Sequence, residues 1–201
     1  MLYGFVKRTT DIIGSIIGFL LLIPLTLVIG TLILIDTRGP IFIKLKRISG
    51  GKAIYAYKFR TMIANSHEWK FKHLATLNER KDGPFFKIKN DPRITRVGRW
   101  LRRIRIDEFP QLVNVLKGEL TLVGPRPHEP EEINGYPAAY QHLPQARAGL
   151  TGLSQVSGAS SLAFTKELEL DDYYLTHKSF LFDIKILLKT LIIFFTDPTA
   201  V

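Results

Sequence analysis

Two adjacent carboxylates, Asp107 and Glu108, follow directly on a run of guanidiniums: Arg93, Arg96, Arg99, Arg102, Arg103 and Arg105. Residue types in that order suit phosphoryl chemistry. An ionised Asp can attack phosphorus and carry the group as an aspartyl phosphate. Two adjacent carboxylates can hold a hard divalent cation. Arg side chains can screen an approaching anion and then stabilise charge on the transferring group. Asp107 also reads as a helix N-cap, with Pro110 tolerated in the first turn. The helix dipole and the nearby arginines are expected to keep it ionised. In an arbitrary chain an acidic cap would be the simpler explanation of the pair; the arginine density beside it shifts the balance towards chemistry.

Other chemistries lack their residues. The 201-residue chain has no Cys, which excludes a disulfide framework, a thiolate metal site and a Cys nucleophile. Its five His form no ligand-spaced pair, and none of the patterns GxxxxGK[ST], GxGxxG or GxSxG occurs.

The formal charge of +10 is unevenly spread. Residues 37–106 hold 19 Lys and Arg against 4 Asp and Glu, a net of +15; residues 107–201 hold 7 against 12, a net of −5. Such a basic middle calls for an anionic partner. Lipid headgroups, nucleic acid and a diphosphate substrate all qualify. Lipid is favoured by what precedes: Ile12–Ile35 is free of charge, long enough as a helix to cross a hydrocarbon core of about 30 Å. Nucleic acid is the runner-up, since hairpin Tyr and Phe residues could stack bases, but no nucleic-acid motif accompanies them. Pro24 sits mid-run and predicts a kink. Basic residues flank both ends, Lys7 and Arg8 before, Arg38, Lys44, Lys46 and Arg47 after. The positive-inside tendency would place both flanks in the cytoplasm. A bent helix that returns to the same face and a simple span are both consistent with this pattern.

The elements that must position the pair follow from periodicity and punctuation. Ile41–Arg47 and Ile54–Phe59 read as strands of a hairpin around Ser49-Gly50-Gly51-Lys52. Asn65 to about Asn78 is helix-like and Lys81–Arg93 a loop. Gly98–Ile106 and Glu108–Lys117 read as short helices, the second closed by Gly118. Leu162–Tyr174 is a further helix. Phe180–Phe195, interrupted by Asp183, Lys185 and Lys189, is either an interfacial amphipathic helix or a packed core helix. The expected fold class is α+β, mainly helical, an N-terminal membrane helix followed by a small soluble domain with a short β-hairpin and surface-lying amphipathic helices. Residues 1–36 form a membrane element and residues 37–201 a soluble domain.

The run from Asp91 to Pro127, DPRITRVGRWLRRIRIDEFPQLVNVLKGELTLVGPRP, resembles the bacterial sugar transferase family, the monotopic phosphoglycosyl transferases. The resemblance extends through YKFRTM (Tyr57–Met62), AGLTGLSQVSG (Ala148–Gly158) and ELELDDYYLTHKSFLFDIKIL (Glu167–Leu187). It implies transfer of a phospho-sugar from a UDP-sugar to polyprenyl (undecaprenyl) phosphate, with release of UMP, at the cytoplasmic face of the bacterial inner membrane, opening glycan assembly. It also implies Asp107 as the nucleophile, Glu108 as a ligand of Mg²⁺ with Asp107 beside it, and Arg102, Arg126, Lys58 and Gln155 as phosphate or substrate contacts. The N-terminal segment would be re-entrant and broken at Pro24. The partners implied are the UDP-sugar, the polyprenyl phosphate and membrane lipids, with no nucleic acid. Departures from the family pattern fall at Ala148, where Pro is common, at Ser154, often Trp or Ala, and at Ala159, usually Arg.

Overall fold

The computed structural model describes residues 2–66, 68–69, 74–158 and 161–196. Helix α1 (Leu2–Asp36) is a single element of 35 residues. Helical structure continues through Pro24, so the expected break there does not divide it. Its buried positions, Asp11, Ser15, Leu22, Ile29, Gly30 and Ile33, recur at helical spacing and make one stripe. The other faces expose Ile13, Ile17, Leu20, Leu21, Leu27 and Leu34 among others. A contiguous apolar surface of this kind marks a membrane or protein contact, and α1 is long and apolar enough to cross a membrane.

The hairpin forms as the sequence predicts. Strands β1 (Phe42–Ser49) and β2 (Lys52–Phe59) pair antiparallel, with Ser49 opposite Lys52. Gly50 and Gly51 take φ +59° and +71°, the two left-handed positions of a tight hairpin turn. The helix-like reading of 65–78 falls partly on residues outside those described; within it only a 3₁₀ turn at Ala75–Leu77 is assigned.

Helix α2 (Arg96–Arg103) starts at Thr95, whose hydroxyl accepts from the Gly98 amide, and stops three residues short of the expected Ile106. Arg105 lies in the left-handed region, at φ +52°, and turns the chain into a 3₁₀ segment, Ile106–Gln111. Helix α3 (Leu112–Lys117) follows and closes at Gly118, φ +78°, as read from the sequence. Strand β3 (Thr121–Val123) pairs in parallel with β4 (Gly149–Thr151). Between them lies the short helix α4 (Pro130–Ile133), and after β4 come α5 (Leu153–Val156), α6 (Phe164–His177) and α7 (Phe180–Thr196).

The core is divided into small clusters. Leu22, Ile29 and Ile33 of α1 pack with Phe59, Leu101 and Ile106, so α1 supplies half of the cluster that includes the residue preceding the acidic pair. Val123, Val156, Tyr174 and Ile186 join β3, α5, α6 and α7. Helix α7 therefore packs one face inward, while Leu181, Leu188, Leu191 and Ile192 remain exposed together with Lys185 and Lys189. The packed-core alternative read for this segment describes its inward face.

Candidate active site

The acidic pair sits on the 3₁₀ segment, and three neighbouring elements bring cations to it. From β2, Lys58 forms an ion pair with the Glu108 carboxylate. The hairpin is held in place by Asn114 of α3. Its side-chain oxygen accepts from the Tyr57 amide at 3.1 Å, and its amide donates to Tyr55 O at 2.8 Å and to Glu119 Oε2 at 2.6 Å. Asn114 is fully buried and completes the hydrogen bonding of the β2 edge. From α2, Arg102 Nε donates to the Thr61 hydroxyl at 3.0 Å. Gly98 lets α2 lie directly on that strand end, because a Cβ there would stand 2.0 Å from Thr61 O.

Arg126 belongs to the turn after β3. Its amide donates to Asp171 Oδ2 at 3.0 Å, and the Ser154 hydroxyl donates to Asp171 Oδ1 at 2.7 Å. One buried carboxylate of α6 thus ties the Arg126 turn to α5. Ser154, a departure from the family pattern, has this specific partner. So has Ala148: its amide donates to Ser49 Oγ at 2.9 Å, a bond that Pro could not make. Ala159 lies outside the described residues. Burial raises the Asp171 carboxyl to about 7, against the bonds from Ser154 and Arg126.

The two carboxylates of the pair differ in state. Asp107 is 7% exposed. Burial pushes its pKa up, Glu108 adds to the rise, and Lys58 and Arg102 oppose it without reversing it. Lys58 and Arg102 act in the expected direction, towards the charged form, but burial outweighs them and the net shift is upward. Asp107 does not cap a helix. It lies inside the 3₁₀ segment, which Arg105 precedes without any side-chain cap bond. Burial also penalises Glu108, but Lys58, Arg126 and Arg47 outweigh it and hold that carboxyl at about 2. The result is one firmly anionic carboxylate beside one that is short of positive charge.

Asp107, Glu108, Lys58, Arg102 and Arg126 form one electrostatic group. Gln155 forms no hydrogen bond with this group. Its amide donates to Leu150 O at 3.2 Å within its own segment, and its buried carbonyl oxygen has no partner among the described residues. Among the described residues no three acidic or His side chains gather as a metal cage. Mg²⁺ needs no such cage, since it is commonly held by one or two carboxylates plus substrate phosphates and water. A buried Asp short of positive charge beside an ionised Glu fits that mode.

Three features of the site escaped the sequence reading: Asn114, the Asp171–Ser154 tether and His128. His128 is buried, stacks on Phe85 with ring centroids 4.4 Å apart, and has an unpartnered Nε2. It lines, with Arg126, Tyr136 and Asp171, a cavity of about 10 Å³, room for a single water.

An apolar N-terminal helix is laid along a small α+β body, with a paired carboxylate among Lys and Arg beside their shared core, an arrangement that suits association with a membrane. The chain belongs to the bacterial sugar transferase family, whose model matches residues 2–197. It is 40% identical over 192 residues to an undecaprenyl-phosphate galactose phosphotransferase of Salmonella typhimurium, covering 92% of this chain and 40% of that protein. An exopolysaccharide production protein of Sinorhizobium fredii is 35% identical over 193 residues, 94% of this chain and 84% of its own length. A UDP-N-acetylgalactosamine-undecaprenyl-phosphate N-acetylgalactosaminephosphotransferase of Aeromonas hydrophila is 34% identical over 199 residues, 94% of this chain and 44% of its own. Against several of these relatives the chain spans only about 40% of their length.

Proposed function

We propose that the chain is a phosphoglycosyl transferase that moves a phospho-sugar from a UDP-sugar to polyprenyl (undecaprenyl) phosphate. The observation that carries this reading is the buried Asp107 beside the ionised Glu108, framed by Lys58, Arg102 and Arg126, in a chain whose relatives are named for phospho-sugar transfer to that lipid. Asp107 Oδ attacks the sugar-bearing phosphorus. The new aspartyl O–P bond forms as the bond to the bridging oxygen breaks, and UMP leaves with that electron pair. An oxygen of the lipid phosphate then attacks the same phosphorus, the aspartyl bond breaks, and the carboxylate is restored.

Burial suits Asp107 to this role, because a carboxylate stripped of water and raised in basicity is a better nucleophile than a solvated one. Lys58, Arg102 and Arg126 supply fixed positive charge for the diphosphate and for the departing UMP. Gln155 offers a spare acceptor for a donor hydroxyl. Mg²⁺, held by Glu108 with Asp107, would add the positive charge that the pair lacks and polarise the diphosphate oxygens.

The same reading makes α1 re-entrant, placing the catalytic body on the cytoplasmic face of the inner membrane. Both ends of α1 are bound to one body. Near the start, Lys7 Nζ donates to Val123 O and to Asp183 Oδ2, each at 2.8 Å, and Arg8 donates to Val115 O and Leu116 O at 2.7 Å. At the far end, Arg60 donates to Thr37 O at 2.7 Å and to Pro40 O at 2.6 Å, and Asp36 accepts from the Val97 amide. A helix crossing both leaflets would have lipid, not a polar domain, around its middle.

The test is UMP release by the purified chain, given Mg²⁺, undecaprenyl phosphate and a panel of UDP-sugars. Lipid-dependent release with at least one donor, lost in Asp107→Asn, is expected. Free sugar phosphate formed without any lipid acceptor would replace the reading with a phosphohydrolase.

A further inference from the structure

Helix α2 divides its surface three ways. Val97, Gly98 and Leu101 turn to the core, and Arg102 reaches Thr61 beside the carboxylate pair. The remaining face carries Arg96, Arg99, Trp100 and Arg103, at spacings of i, i+3, i+4 and i+7, and all four are exposed, Trp100 by 49%. Among the described residues none of these three guanidiniums pairs with a carboxylate or donates a hydrogen bond to a protein oxygen.

The position of this face matters as much as its charge. The α2 amide of Val97 donates to Asp36 Oδ2 at 3.0 Å, so α2 begins where α1 ends. The outward surface of α1 is apolar up to Ile35, which is 78% exposed, and Arg38 stands exposed just beyond it. An apolar surface that ends in arginines and an indole reproduces the layering of a bilayer: chains, then the boundary that Trp prefers, then phosphates.

We infer that the exposed face of α2 is a docking surface for the anionic phospholipid headgroups of the bilayer that holds α1. The inference rests on the reading of α1 as membrane-embedded. It adds a lipid preference which that reading does not require. Arg96, Arg99 and Arg103 pair with the phosphates, and Trp100 inserts its ring between neighbouring headgroups. Docking there fixes how the body tilts on the membrane, and with it the height of Asp107 above the lipid phosphate layer.

The chain contains two Trp, so Trp69→Phe leaves Trp100 as the sole indole. That protein is placed in nanodiscs of phosphatidylcholine with phosphatidylglycerol as the minor lipid, with a spin label near the headgroup of one lipid or the other. Trp100 emission is expected to be quenched several-fold more by labelled phosphatidylglycerol, at equal label content. The combined Arg96→Gln, Arg99→Gln and Arg103→Gln variant, still held in the discs, is expected to lose that preference. Equal quenching by the two lipids, or none by either while the chain stays in the discs, would overturn the inference. So would salt-sensitive duplex DNA binding lost in the triple variant without quenching. UMP release by the Trp69→Phe protein, which keeps all three arginines, reports the transferase reading separately from the quenching preference.

Discussion

At the scale of single residues the site depends on unequal treatment of two neighbouring acids. Lys58 touches Glu108, and its charge also lowers the Asp107 pKa against the effect of burial. Lys58→Met should therefore raise both carboxyls. A depressed carboxyl is ionised down to its folded pKa, so Glu108 is charged in the native protein above about 2. Without Lys58 the acid limb of kcat/KM should move to higher pH. An acid limb left where it was would show that Lys58 does not set the charge of the pair. The adjacency of Asp107 and Glu108 was legible in the sequence, as were the arginines beside them. The upward shift of Asp107 was not, because it comes from the folded body closing over the carboxyl and outweighing Lys58 and Arg102, which no local pattern encodes.

At the scale of elements, the site is assembled by contacts that are remote in sequence. Asp171 tethers the Arg126 turn from 45 residues away and Ser154 from 17. Its carboxyl, raised to about 7, is protonated most readily in the folded state. Such a group favours folding fully below its unfolded pKa near 4, and that stability is lost as pH rises through about 7. Asp171→Asn keeps an acceptor for the Arg126 amide and should flatten the fall in Tm across this window. A variant with the same pH slope as the parent would assign the slope elsewhere. Close approach supplies a second element-scale test. A Cβ at Gly98 would strike the Thr61 backbone, so Gly98→Ala should part α2 from the segment just after β2 and cost about 3 kcal/mol, read by thermal unfolding. An unchanged Tm would mean that α2 shifts freely. The hairpin and the Gly118 stop could be read from sequence, since paired glycines and a terminal glycine need positive φ. The 3₁₀ segment could not, because its geometry follows from the left-handed Arg105 and the fit of Ile106 and Phe109 into a core that α1 completes.

For the whole molecule, α1 is both anchor and core. Lys7, Tyr3 and Tyr174 converge on Asp183 of α7, joining the first helix to the last. Asp183→Ala leaves Lys7 without its acid partner at a mostly buried position and should cost about 3 kcal/mol, measured as a lowered Tm in detergent. A shift within error would show that lipid and body hold α1 without that link. The topology has its own test, helped by the absence of Cys. Cysteines placed singly at Gly4 and Arg38 should both react with an impermeant maleimide from the cytoplasmic side and neither from outside. Labelling of one from each side would make α1 a simple span.

The central claim is that Asp107 carries the phospho-sugar between donor and lipid. The most direct measurement is intact-protein and peptide mass spectrometry after brief incubation with a competent UDP-sugar and Mg²⁺, without lipid acceptor. A mass increase of one phospho-sugar, mapped to the peptide containing Asp107 and discharged on addition of undecaprenyl phosphate, is the expected result. Full turnover with no such adduct, or an adduct that persists in Asp107→Asn, would contradict the account.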